Sequence, residues 1–221
     1  MIFEPPLDVF YEEVIRWNKS FNLVSRVDPE SRVTALIEEC WNSGHVVADY
    51  LVREASGRVL TYLDLGSGGG FPGLIWHSVL SHGFEGVCDY RGCCLVEPRE
   101  KRAWFLDQAA RKMQLSRCSV SPIRWEPGCR PGPDIPHADI VLISLKALAL
   151  DDAQVLGGLA SFMPSFRGDC VIARLAPWGD GLDWHPQEPQ GNKPNEGPAS
   201  CLLCPHESAP STVMVSRHRL G

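Results

Sequence analysis

The stretch 62-YLDLGSGGGFPG-73 decides the fold class. An apolar run ends in Asp64, and five glycines and a proline follow within the next nine residues. A β-type run that stops at a glycine-rich turn and continues into a helix is the start of a β-α-β unit. Glycines at the turn bring backbone close to a ligand, because no Cβ stands in the way. The ligands compatible with such a turn are a dinucleotide, a nucleoside such as S-adenosylmethionine (SAM), a phosphate, or only the next helix.

The pattern around this stretch repeats the unit. Residues 58–65, 92–97, 118–125, 138–145 and 168–176 read as strands, the third at an edge because of Pro122. Residues 72–83, 99–115 and 151–163 read as helices between them, with Pro72 in a first turn and Asp151 opening the last. Strands alternating with helices predict a mostly parallel sheet covered on both faces. Residues 177–198 read as a long loop rich in Pro, Gly and Asn, and the segments around 208-SAPS-211 as an antiparallel hairpin on the sheet edge. Upstream, Leu7, Phe10, Tyr11, Val14 and Ile15 make one helical stripe, and a second helix starts at Asp28-Pro29. The expected organisation is a helical extension over 1–55 and a cofactor-binding α/β domain over 56–221.

Composition narrows the class. The 221 residues are 44% hydrophobic and 22% charged, which is ordinary for a globular chain. No apolar run reaches the roughly 18 residues a membrane span needs. The start, MIFEPPLDVFYEE, has no basic flank before an apolar core, so no signal peptide is expected. Nine scattered cysteines then read as reduced thiols in a cytoplasm. Cys201 and Cys204 form the single Cys-x-x-Cys, without a second pair at comparable spacing, and no metal is expected. A net charge of −6 argues against a broad nucleic-acid surface, although Arg16, Lys19, Arg26, Arg32, Arg99, Lys101 and Arg102 form local basic clusters.

Gly68, Gly70 and Gly73 spell G-x-G-x-x-G, a weak match in so glycine-rich a segment. Asp64 sits just before the loop, poorly placed for a pyrophosphate and well placed for the ammonium and sulfonium of SAM. The spacing Asp64-x-Gly66-x-Gly68-x-Gly70 is the usual first motif of SAM-dependent methyltransferases. Glu97 ends the next strand, where a carboxylate accepts hydrogen bonds from ribose hydroxyls. No Walker lysine follows the loop, which excludes a P-loop.

Three segments occur in order: 16-RWNKSFNLVSRVDP-29, 63-LDLGSGGGFPG-73 and 97-EPREKRAWFLDQAARKMQL-115. Together they resemble the bacterial 16S rRNA guanine-N7 methyltransferases, the glucose-inhibited division protein B family. The shared positions are Trp17, Asn18, Asn22 and Leu23; Asp64 to Gly73; and Lys101, Arg102, Phe105 and Leu106. The resemblance implies a Rossmann-like class I SAM-dependent methyltransferase fold, with SAM as cofactor and ribosomal RNA or the small ribosomal subunit as partner. It implies cofactor contacts from Asp64, Gly66, Ser67, Gly68, Gly70 and Phe71, with Glu97 on the ribose and Trp125 and Glu126 at the adenine. A monomer is expected.

The chain departs from the family at three places. Where the family has a His and then Asp-Ser, this chain has Leu36, Glu39 and Cys40. Where it has Ser-Arg-Ala, this chain has Ser-Leu-Lys-Ala, making Lys146 the candidate methyl-site cation, and Arg174 is the nearest cation to a late lysine. These positions fall where RNA and the methyl would meet. A diverged methyltransferase on another RNA or a small molecule, or a SAM-binding protein without transfer, remain the alternative readings. Guanine N7 has a free lone pair, so its methylation needs orientation and a dry pocket rather than a general base. Lys19, Arg26, Arg32, Lys101 and Lys146 are the candidate phosphate contacts, and His77 is expected to be packing.

Overall fold

A computed structural model describes residues 5–84, 86–132, 138–175, 200–204 and 211–221, without the side chains of 200–204 and 211–212. The expected loop at 177–198 and the Cys201 and Cys204 side chains lie outside the described residues.

The elements follow as α1 (Leu7–Phe21), α2 (Pro29–Ala55), β1 (Val59–Leu65), α3 (Gly73–Gly83), β2 (Asp89–Val96) and α4 (Glu100–Lys112). Then come β3 (Cys118–Ser121), β4 (Ile140–Lys146), α5 (Asp152–Phe162), β5 (Gly168–Leu175), β6 (Ser200–Cys204) and β7 (Ser211–Leu220). They build a seven-stranded sheet in the order β3-β2-β1-β4-β5-β7-β6. The first five strands in that order run parallel, and β7 pairs antiparallel with β5 and with β6. The chain steps outward from β1 to β3, then returns to the other side of β1 as β4. The switch point of this Rossmann-like fold therefore lies between β1 and β4, at their carboxyl ends.

Local chemistry explains most boundaries. Asp28 caps α2 through Ser31 N, with Pro29 in the first turn. Asp151 and Gln154 form a reciprocal capping box on α5, with Gln154 N to Asp151 Oδ1 at 2.7 Å and Asp151 N to Gln154 Oε1 at 3.0 Å. The third strand is shorter than the sequence suggests. It is an edge strand, as expected, but stops at Ser121. Ile123 N, the next donor toward β2, turns back to Ser121 O at 2.9 Å, while Pro122 lies on the open side of the edge, where a missing N–H costs the ladder nothing.

Strand residues alternate between two cores with period two. Leu60, Tyr62, Ile140, Leu142, Val171 and Ala173 pack with residues of α1, α2, α3 and α4. Leu63, Leu65, Val141, Ile143, Cys170 and Ile172 pack with α5 and with Trp125. Both faces are covered, but unequally: four helices on one, and α5 with the segment around Trp125 on the other. The helical extension does not stand apart, since Phe10, Val14, Ile37, Cys40 and Leu51 share the β1 core. Among the described residues no helix is long and apolar enough to cross a membrane.

Candidate functional site: the glycine crevice at the switch point

The turn after β1 is held by its neighbours. Gly66 N and Ser67 N donate to Val96 O of β2 at 2.8 and 3.2 Å, and Gly70 N donates to Ser67 O at 2.7 Å. Gly66, Gly68 and Gly70 have φ of +69°, +55° and +91°, left-handed values that L side chains resist. Gly73 is required for a different reason. A Cβ there would lie 2.4 Å from Asp64 Oδ2 and 2.6 Å from Leu95.

Asp64 braces the crevice floor from beneath the loop and is 1% exposed. Its Oδ1 accepts from Ser144 Oγ, and Ser144 Oγ lies 2.7 Å from the Tyr62 hydroxyl. Since Ser144 donates to the carboxylate, Tyr62 must donate to Ser144, giving one directed chain across β1 and β4. Oδ2 lacks a partner at hydrogen-bond distance and angle, and the Gly73 amide is near enough to act on it. Burial pushes Asp64 up to about 6, with Ser144 and the Gly73 amide pulling it part of the way back. A buried carboxylate under a glycine turn places negative charge where a cationic ligand is favoured.

Glu97, one residue past β2, is buried and joined to the same turn. Its Oε2 accepts from Gly68 N at 2.9 Å and its Oε1 from Arg99 N at 2.9 Å. Each oxygen keeps a second lone-pair direction for a ribose hydroxyl. Ser67 Oγ donates back to Asp64 O at 2.9 Å, so this side chain stiffens the turn.

The remaining expected site residues are distributed around this centre. The Phe71 ring packs on Phe10, with ring centroids 5.0 Å apart. Trp125 is buried against α5, with its Nε1 donating to Val155 O at 3.2 Å and its ring 5.2 Å from Phe162. Glu126 and Arg124 are exposed. Lys146 ends β4 at the switch point, and its Nζ is 2.7 Å from Glu39 Oε2 of α2. His77 is buried packing, with Nε2 donating to Ser116 O at 2.8 Å and Nδ1 2.7 Å from the Tyr90 hydroxyl. Burial lowers its pKa to about 4.

The three sequence motifs meet at the glycine turn. Asn22, at φ +51°, ends α1, and its N donates to Asn18 O at 2.9 Å. The Asn18 side chain takes Val24 N at 2.9 Å. This stop places Leu23 against Gly69, where a Cβ would stand 3.3 Å from Leu23. Arg102 of α4 donates to Asn22 O at 2.6 Å and lies beside Gly68. Asn has the best tolerance of the left-handed region after glycine, so the helix stop itself was readable. The sequence marks Glu39 and Lys146 separately, as departures from the family pattern, but neither their pairing nor the role of Ser144 follows from it. The available signal was an acid on the apolar stripe of α2, between Leu36, Ile37 and Cys40. Among the described residues no group of three or more His, Cys, Asp or Glu could hold a metal ion.

A doubly wound sheet with a glycine turn at its switch point, faced by an acid from the neighbouring strand, defines a Rossmann-like α/β protein. A family model described as GidB, rRNA small subunit methyltransferase G, matches residues 4–142, and this chain belongs to that family. A ribosomal RNA small subunit methyltransferase G of Rhizobium meliloti (strain 1021) is 36% identical over 148 residues, covering 67% of this chain and 60% of the relative. The same-named protein of Jannaschia sp. (strain CCS1) is 31% identical over 143 residues, 65% of this chain and 58% of its own length. The chain thus spans about 60% of the length of these two relatives. Among solved structures, one described as MtNAS in complex with MTA and tNA shares the fold, with a TM-score of 0.52 at 14% identity over 97% of this chain and 71% of that chain.

Proposed function

We propose that the chain binds SAM in the crevice above β1 and β2 and transfers its methyl group to N7 of a guanine in small-subunit ribosomal RNA. The observation that carries this reading is the join between the glycine turn and Glu97, Gly68 N to Glu97 Oε2 at 2.9 Å, which sets a backbone cradle beside a ribose-binding carboxylate. Family membership supports the RNA substrate.

The residues fit the cofactor. A Cβ at Gly66 would have to take φ +69° and would crowd Leu148 at 3.2 Å, so only glycine leaves the turn open. Asp64 supplies negative charge under the turn for the ammonium, and Glu97 accepts from the ribose hydroxyls. Trp125 and the exposed Glu126 flank the adenine side. SAM supplies an electrophilic methyl group on a sulfonium. The chain orients guanine so that its N7 lone pair lies in line with that methyl, and no general base is needed because N7 has no proton to lose. The target base must be unstacked or lie in a loop to enter the crevice. Lys19, Arg26, Arg32 and Lys101 hold phosphates of the flanking strand.

Calorimetry with SAM and with NADH separates the cofactors, and binding of NADH alone would overturn the reading. Labelled methyl from SAM should enter small-subunit RNA taken from cells lacking the endogenous enzyme. Binding of SAM without transfer to any RNA leaves a SAM-binding protein and removes the transferase. Gly66→Val should abolish SAM binding; retained affinity means that the turn is not the cradle.

A further inference from the structure

Glu39 lies on the buried stripe of α2, and its side chain is 2% exposed. Its Oε2 meets the Lys146 ammonium at 2.7 Å, while its Oε1 is buried without a hydrogen-bond partner. A buried carboxylate is costly even when paired, and native structures seldom leave one of its oxygens unmet. Burial keeps the neighbouring Cys40 thiol protonated, but it makes no hydrogen bond to Glu39 Oε1. An unmet acceptor of this kind is suited to a donor that arrives with a ligand.

Its position says where that ligand is. Ser144 and Lys146 share one face of β4, and Ser144 is bonded to Asp64 at the crevice floor. Leu145 pairs with Leu65, so Lys146 stands beside the start of the glycine turn. Its side chain keeps 14% exposure against 2% for Glu39, so a base arriving from the crevice meets the ammonium first and reaches Glu39 as the flexible Lys146 side chain turns toward it. Ala147 follows with φ +54°, a left-handed value that a non-glycine residue rarely adopts, and the next side chain, Leu148, lies over Gly66. Strain of this kind persists where the surroundings over-determine it, as at ligand sites.

We propose that Glu39 and Lys146 are the base-reading pair of the methyl-acceptor site, with Lys146 donating to O6 of guanine and Glu39 Oε1 accepting from its N1–H. This rests on the guanine reading above and adds to it the residues that select the base. Guanine presents an acceptor, O6, beside a donor, N1–H. Adenine presents a donor, N6–H2, beside an acceptor, N1, so it would set donor against ammonium and lone pair against carboxylate. The pair therefore accepts one purine and repels the other. N7 stands on the O6 side of the ring, so an edge held this way leaves N7 facing the crevice. The N7 lone pair forms the new bond to the methyl carbon, and sulfur keeps the electrons of the bond that breaks. The positive charge passes from sulfur to the purine, and N1–H becomes a stronger donor. The hydrogen bond to Glu39 thus strengthens as the reaction proceeds, which is what lowers a barrier.

Reversing the pair tests this. The double variant E39K/K146E restores an ion pair with opposite polarity. It should keep the wild-type melting temperature and SAM affinity and lose guanine transfer by about 100-fold or more. Full recovery of transfer in the double variant would mean that the pair is only structural and would overturn the proposal. Should the reversal not fold, E39Q alone decides. SAM affinity by calorimetry should stay within about threefold while kcat falls about tenfold or more; an unchanged kcat overturns the proposal. Transfer by the wild-type chain separates the two readings. If it modifies no guanine at all, the proposed function fails; if it modifies guanine as well as the reversed variant does, only the base-reading pair fails.

Discussion

Two charged clusters, one on each face of the sheet, are built to different standards. On the α5 face, Asp152 is saturated. Its Oδ1 meets Arg174 Nη2 at 2.7 Å, and its Oδ2 meets His218 Nε2 at 2.8 Å and Ser216 Oγ at 2.9 Å. Burial works to raise the Asp152 pKa, but the His218 hydrogen bond and the Arg174 charge outweigh it and hold it down at about 2. That cluster ties α5, β5 and β7 together. On the four-helix face, Glu39 has one good contact and one unmet oxygen, and Asp64 has a second. A satisfied network stabilises and rigidifies; a network with spare acceptors gives up stability and leaves something for a ligand to complete.

The largest effect expected in the folded chain comes from closing the gap on the four-helix face. Gly73→Val puts side-chain atoms into Asp64 and Leu95 and should cost about 3 kcal/mol or more, read from urea unfolding. Next come the clusters themselves. Asp152→Ala strands Arg174 and His218 and should cost about 1–3 kcal/mol, less than a fully buried pair because Asp152 is partly exposed. Replacing Glu39 and Lys146 together by Leu and Met should leave the melting temperature unchanged or raise it, while base selection is lost. A fall as large as that of Asp152→Ala would erase the contrast between the clusters.

The smallest effect is a balance in the wild-type chain. The folded pKa of His77 is lowered to about 4, so stability is full above about 6.5 and is lost as pH falls toward 4. The folded pKa of Asp64 is raised to about 6, so stability is full below about 4 and is lost as pH rises through 6. Each is worth about 3 kcal/mol with opposite sign, so the two should nearly cancel between pH 4 and 6.5. Asp64→Asn removes one side of the balance. Its stability should exceed that of the wild type at pH 7 and fall as pH is lowered to 4. A parallel pH profile for the two proteins would show that Asp64 is not strained by burial.

The elements were largely legible, because their signals are local. Asp28-Pro29 and Asp151 announce helix starts, and the alternation of strands and helices gives a parallel sheet. The site was legible where it is a contiguous motif: the left-handed glycines and the acid before them follow from one short segment. Pro122 marks the edge strand, but the turn that ends it, Ile123 N to Ser121 O, is not legible from the proline alone. Phe71 and Trp125 could be named without knowing what they touch, and each proves to be packed on a helix, Phe10 of α1 and Val155 of α5.

What the sequence by itself determined is the order of elements, the glycine turn, the acid on each side of it, and the family whose motifs this chain shares. These are short-range properties, set by φ preferences, capping and hydrophobic period within a few residues. Only the tertiary structure decided that Asp64 is buried against Ser144, 80 residues away, and that Glu39 meets Lys146, 107 residues away. Strand period places Ser144 and Lys146 on one face, but which helix covers that face, and at which turn, depends on how α2 packs against the whole sheet. That packing is chosen by burial of the apolar stripe, and the charges on it must take the partners the stripe brings them.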